Sequence, residues 1–401
     1  MKLEVLPAKE GDCLILHSTG LIVIDGGPGG VAKSTLIPRL LKLREEQGLP
    51  ENKPLVIDLL IVSHVDADHI TGVIDLLAGI LARKRGKQST QFRIRELWHN
   101  SFDRILGNDQ TGDLVTAANV VTASRGQLVE DADRGPPEDH AMVLASVKQG
   151  DDLTQLAKEL GIPVNKAFGG ALIQTDAGKL TARNVAGVEL VVLGPRRTEL
   201  IELQKEFEKW LKSLPASQRT AASLLAALDD ESASNLSSIV LLARKNGKTI
   251  LLTGDARGDK IIAGLEDNKL VGADQAIDVD ILKMPHHGSI RNIDDHFVRK
   301  VTSGNYIFSG DGKHGNPDRE TIDCLLKVRP GATMKFYLTY PIAKIDPRRK
   351  KEHDHERDKR RKKGKPEGPP WSDAKNALAT VLQPPPAGVT VIEHTGQTML
   401  L

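Results

Sequence analysis

Between residues 61 and 72 the chain reads IVSHVDADHITG, two histidines and two aspartates within six positions, straight after an apolar run. That run, PLVIDLLIV (54–62), is short, β-branched and bounded by proline, and predicts a buried strand. Side chains on the loop leaving such a strand converge on one small volume. Four ionisable heads gathered there repel or stay unsatisfied unless a cation sits between them. A divalent metal is the simplest such cation. In an extended segment His64, Asp66 and Asp68 share one side, and the following turn adds His69. The rival reading, a solvated turn with incidental histidines, leaves the cost of clustered charge beside a buried strand unexplained.

The rest of the chain bounds the fold around that cluster. Its 401 residues, 39% of them apolar, suffice for a large core. Thirty-six glycines and 21 prolines imply many turns. Aromatic residues at 3% argue against a surface built on base or sugar stacking. Cys13 and Cys324 alone make neither a disulfide framework nor a cysteine-rich zinc site. With no apolar leader at the start and no run of 18 apolar residues, a soluble cytoplasmic protein without membrane contact is expected.

Along the chain, KLEVLPAKEGDCLILHSTGLIVIDGG reads as three strands ending at Asp25, and STLIPRLLKLREEQG (34–48) as a helix stopped by Gly48. A helix resumes at 71–85. Two strands joined at Asn246-Gly247 form a hairpin, and further strands are expected at 187–195, near 281 and 306, and at MKFYLTY. This order predicts two sheets packed face to face with helices outside. The main domain is expected over 1–343, with insertions at about 101–165 and 198–230. A flexible basic segment is expected at 344–372, and a hairpin at 373–401 returns to the domain. From Lys344 to Lys365 there are 12 Lys or Arg against 5 Asp or Glu, a surplus of +7 in a chain whose net charge is +2.

The cluster resembles the metal-binding signature of the metallo-β-lactamase fold, His-x-His-x-Asp-His, with Asp66 in place of the second histidine. That replacement resembles the subgroup typified by the C-terminal domain of the competence protein ComEC. The landmarks EGDCLIL, LIVIDGG, SNLSSIVLL, ILLTGDA, ILKMPHHGS and SGDGKHGNP occur in matching order between residues 3 and 320. The resemblance implies an αββα sandwich holding two divalent ions, manganese or zinc. It implies His64, Asp66 and Asp255 around one ion. Asp68, His69, Asp255 and one of His286 and His287 would surround the other, and the residues do not decide which. Asp25 resembles the aspartate that fixes a histidine ligand. Asp68, Asp255 and His287 are the implied catalytic side chains, Asp68 orienting the attacking water. Lys283 and Ser289 flank the histidine pair within reach of a phosphate.

Three departures from the pattern stand out. Asn235 and Ser238 occupy the place of a further histidine. HGNP replaces a usual GHP, so that His314 sits early and could substitute through loop geometry. The stretches 101–165 and 198–230 match no landmark. One motif is a decoy: GPGGVAKS (27–34) approaches a phosphate loop, but Ala32 stands where the second glycine must be. It is read as an ordinary helix start.

The implied chemistry is hydrolysis by a metal-activated water, and the basic segment tilts the substrate toward nucleic acid. Its candidate phosphate contacts are Arg348, Arg349, Lys350, Lys351, Arg360, Arg361, Lys362 and Lys363. The alternatives are a small-molecule ester or cyclic-nucleotide hydrolase, or an inactive metal-binding subunit acting beside a protein partner that the sequence does not name.

Overall fold

Alternation of apolar side chains in the first 25 residues builds antiparallel strands at Lys2–Val5, Leu14–His17 and Leu21–Ile24. Leu59–Ile61 and Leu97–Trp98 then add in parallel, and Met399–Leu400 closes the other edge against Lys2–Val5. The computed structural model describes residues 1–101, 138–201, 237–272, 274–394 and 399–400. For 138–147 and 399–400 it describes the backbone alone. Most of the two expected insertions, and Asn235, lie outside the described residues.

The second sheet has eight strands. Its antiparallel half comprises Ala182–Val185, Val188–Gly194, Val240–Lys245 and Lys248–Leu252. Asn246 and Gly247 turn the hairpin with φ of 51° and 73°, the left-handed pair such a two-residue turn requires. The parallel half continues through Ile281–Lys283, Asn305–Phe308, Met334–Leu338 and Val389–Glu393.

Inward residues of both sheets meet in one buried layer that includes Leu16, Ile22, Leu241 and Ile250. Helices Ile37–Glu46, Ala67–Arg85 and Glu138–Leu160 cover the outer face of the first sheet. Helices Gly258–Asp267, Asp295–Lys300 and Arg319–Val328 cover that of the second. The architecture is therefore a four-layer αββα sandwich. In each sheet the parallel strands end on the same side, so the loops leaving them face one another across the seam, where ligands gather in open α/β sheets.

Three local expectations change. The strand before the cluster is two pieces, Leu55–Ile57 and Leu59–Ile61, of which only the second joins the large sheet. Within the basic segment expected over 344–372, the residues up to Lys362 belong to a helix, Ile342–Lys362, with Ile342, Ile345 and Arg349 buried along one seam. The last two strands do not pair as a hairpin. Val389–Glu393 lies parallel to Met334–Leu338, while Met399–Leu400 pairs with the other sheet, tying both together. Among the described residues, no helix is long and apolar enough to cross a membrane.

Candidate metal centre

The strand Leu59–Ile61 delivers Ser63 and His64 to the seam, and the helix begins at Ala67 rather than at Thr71. Asp66 is thus the residue before the helix, and Asp68 and His69 stand in its first turn. A carboxylate there also faces the positive end of the helix dipole. From the second sheet, Lys248–Leu252 leads to Asp255, and Ile281–Lys283 leads to His286 and His287.

Four imidazoles share one pattern. Each is held through Nδ1 and turns Nε2 toward carboxylates. His69 Nδ1 lies 2.9 Å from Asp25 Oδ2, His286 Nδ1 2.9 Å from Asn292 Oδ1, and His287 Nδ1 2.9 Å from Ser309 Oγ. His64 Nδ1 is 3.1 Å from Ser63 Oγ, which itself donates to Asp25 at 2.7 Å. On the other side, Asp255 Oδ2 is 3.8 Å from His64 Nε2, 3.6 Å from His286 Nε2 and 3.4 Å from His287 Nε2. His69 Nε2 is 3.4 Å from Asp255 Oδ1. Asp66 lies 3.3 Å from His64 Nε2, and Asp68 lies 3.7 and 3.4 Å from Nε2 of His69 and His287.

These gaps are too long for good hydrogen bonds. Nε2 of His64, His69 and His287 and Oδ1 of Asp255 are buried with no hydrogen-bond partner. Burying such atoms unsatisfied costs about 1–3 kcal/mol each. Two ligand atoms about 2.1 Å from a shared ion, set near the tetrahedral angle, would stand about 3.4 Å apart. The residues therefore fit a metal. Two groups offer ligand atoms within 4.8 Å of one another: Asp12, His69, Asp255 and His287, and His64, Asp68 and His69.

Electrostatics agree. Burial raises the Asp255 carboxyl, but His287, His69 and His286 more than reverse this and hold it well below the carboxylate range. Burial pulls His69 down, and Asp255, Asp68 and Asp25 carry it well above an ordinary histidine. His287 is raised in the same way by Asp255 and Asp12. Such a centre attracts cations.

Asp12 joins the centre although the sequence marks it only as part of a turn. It lies in the hairpin loop Leu6–Cys13, and its Oδ1 stands 3.5 Å from His287 Nδ1, behind the imidazoles rather than at their Nε2 face. Its other oxygen forms an ion pair with Lys283. A side chain on Gly11 would strike the Asp68 carbonyl at 1.8 Å, so that glycine lets the Asp12 loop press against the helix start. In the sequence, Gly-Asp between two apolar strands reads only as a turn.

Other sequence-named residues settle elsewhere. Lys283 is 1% exposed, donates to Gly254 O at 3.1 Å and lies beneath the centre, so it does not reach an outside phosphate. Ser238 Oγ accepts from the Asp255 backbone N at 3.3 Å. Ser289 is buried, its backbone N bonded to His286 O. His314 is exposed and belongs to neither ligand group; Asn316 instead donates to His286 O at 3.3 Å. Arg349 is buried and donates to Gly315 O at 2.9 Å, a structural tie rather than a phosphate contact. Arg348 pairs with Asp311. Lys350, Lys351, Arg360, Arg361, Lys362 and Lys363 are exposed on the basic helix. The phosphate-loop decoy is a helix start with Lys33 exposed. Gly26, just before the motif, serves packing, since a Cβ there would meet Val73 N at 2.4 Å.

No protein-family model matches the chain, and no curated protein does. A solved structure of a CmlA beta-hydroxylase mutant is similar over 100% of this chain and 53% of its own, at 13% identity and a TM-score of 0.32. This chain thus spans about half of that protein, and a likeness so distant carries no weight for what the chain does.

Proposed function

We propose that the chain is a metal-dependent hydrolase of the metallo-β-lactamase type, acting on phosphodiester bonds. The carrying observation is the set of imidazoles clamped through Nδ1, with three unsatisfied Nε2 atoms aimed at shared carboxylates. In this reading His64, Asp66 and Asp255 hold one divalent ion, with His286 facing the same Asp255 oxygen. Asp68, His69, His287 and Asp255 hold the other. Two ions so placed would supply Lewis-acid activation of water and neutralise the oxygens of a displacement at phosphorus. The protein's own part is orientation. Asp25 fixes the His69 ring, Asn292 the His286 ring, and Ser309 the His287 ring. Asp68, partly exposed at the centre, would orient the attacking water.

Three histidines face Asp66, Asp68 and Asp255 in the two sets, with His286 a fourth imidazole near one of them. Each carboxylate that replaces an imidazole moves such a mixed set toward harder cations, although zinc binds more tightly than manganese in general. The ComEC-like reading of Asp66 points the same way.

The test is metal analysis of purified protein, then reconstitution of stripped protein with Mn²⁺ or Zn²⁺. Activity is followed on bis-p-nitrophenyl phosphate and on labelled DNA and RNA. Higher turnover with manganese on diesters is expected. Bound metal without turnover on any diester overturns the hydrolase assignment, and cleavage confined to small esters overturns the nucleic-acid one.

A further inference from the structure

The centre leaves one conspicuous feature unused, the basic helix Ile342–Lys362. We propose that its exposed face docks the phosphate backbone of duplex nucleic acid and leads it toward the metal centre. This deepens the phosphodiesterase reading and rests on it.

The helix is held along its length. Ile342, Ile345 and Arg349 are buried, the His353 ring meets Trp371 edge-on at 5.5 Å, and Arg357 pairs with Glu367 at 3.0 Å. It is a surface of fixed shape rather than a loose tail.

Its beginning lies against the rim of the centre. A side chain on Gly312 would stand 2.3 Å from Ile345 O, so the two backbones touch. Arg348 reaches Asp311 in that same loop. The loop's far end donates from Asn316 to the carbonyl of His286. Two contacts thus separate the first turns of the helix from the histidine pair.

Charge supplies the ligand chemistry. Lys350, Lys351, Arg360, Lys362 and Lys363 are exposed and form no ion pair with a described residue. Lys351 stands three positions from Arg348, Arg360 three from Arg357, and Lys362 and Lys363 three and four from Lys359; like charges at that spacing destabilise a helix, and an outside counter-charge relieves them. The helix dipole accounts for cations in the last turn only, which leaves Lys351 beside Arg348 unexplained. A polyanion answers both.

The helix carries no Phe, Tyr or Trp, so it lacks the stacking platforms that single strands require. Charge alone reads the duplex backbone. Twenty-one residues span about 30 Å, close to one turn of duplex at about 3.4 Å per base pair.

The experiment compares full-length wild type with a Lys350→Ala/Lys351→Ala variant and a Lys362→Ala/Lys363→Ala variant. Alanine keeps helix propensity while removing charge. Each protein is titrated by fluorescence anisotropy against a labelled DNA duplex of two helical turns, and against one strand of it, across a KCl series. Tighter binding to the duplex is expected. The slope of log K against log[KCl] should flatten by up to about 1.8 per variant, about 0.9 for each lost phosphate contact. Unchanged slopes in both variants, or a single strand bound as tightly as the duplex, overturn the proposal. Wild-type turnover of bis-p-nitrophenyl phosphate is followed in parallel. Its absence would count against the hydrolase reading, while the slopes judge the helix independently.

Discussion

Replacing Lys283 by methionine keeps the length and apolar stem of the side chain and removes only the ammonium. Lys283 and Asp12 are 1% and 2% exposed and form an ion pair under the metal centre. Burial lowers the lysine and raises the aspartate. Their mutual attraction, joined by Asp255 on one side and His287 on the other, reverses both shifts and keeps both groups charged. Removing one partner of such a pair costs about 3–5 kcal/mol, because a charge is left buried without its counterpart. Here the remaining charge is not wholly abandoned, since His287 and His69 Nδ1 atoms stay 3.5 and 3.9 Å from Asp12. The lower end, about 3 kcal/mol, is therefore expected for Lys283→Met. Adding Asp12→Asn removes the stranded charge, so the double variant should recover at least half of that loss. The assay is urea unfolding of metal-free protein for wild type, both single variants and the double, arranged as a thermodynamic cycle. If the double variant is as unstable as the two single losses added together, the pair is not balancing charge and the reasoning fails.

Asp255→Asn and His64→Ala should each abolish hydrolysis while leaving circular dichroism intact, because each removes a centre atom but little buried apolar area. Full activity in either places the chemistry elsewhere. In the metal-free protein His69 and His287 are held above the ordinary histidine value, so each carries a proton at neutral pH that an incoming metal must expel. Apparent metal affinity should then rise with pH, by up to about 100-fold per unit where two protons leave; calorimetry showing a flat affinity from mildly acid to mildly alkaline pH would contradict this. Glu4 is held below its ordinary value near 4.5, burial being outweighed by His17 and Arg39. Its stabilisation is complete above that value and is lost as pH falls through the lower folded value. Glu4→Gln should consequently lower the melting temperature at neutral pH and approach wild type in acid, and an equal deficit at both pH values would refute it.

The sequence exposes most of what lies on regular elements. Period-two alternation with Gly turns placed the first three strands, and Asn246-Gly247 placed a hairpin, because turn chemistry and apolar spacing are local properties. The His64 to His69 cluster was legible because charge beside a buried strand is locally anomalous. Asp12 was not, because its importance comes from Gly11 letting two backbones touch across a sequence gap of more than fifty residues. The basic helix was misread for the opposite reason. Composition reports solvation, whereas the seam of Ile342, Ile345 and Arg349 that holds this helix is three residues among many charges. The final strands misled because a hairpin and a bridge between two sheets share the same alternation, and only the distant partner distinguishes them.

The histidine pair shows why local reasoning fails most at the centre itself. Neighbouring residues on an extended segment point apart, which argues that only one of His286 and His287 can face the metal. Yet both Nε2 atoms face the same oxygen of Asp255, at 3.6 and 3.4 Å. The backbone makes this possible by taking three successive left-handed residues, His286, His287 and Gly288, at φ of 47°, 57° and 89°. For a residue with a Cβ that conformation costs about 1–2 kcal/mol. Histidine is hardly the residue a turn alone would select at two such positions, where glycine or asparagine is cheaper. The strain is held by Asn292 clamping one ring and Ser309 the other, both from beyond the turn. Two imidazoles kept at a conformational cost, with their free nitrogens converging on one carboxylate, are better explained by the chemistry of a ligand than by the stability of the fold.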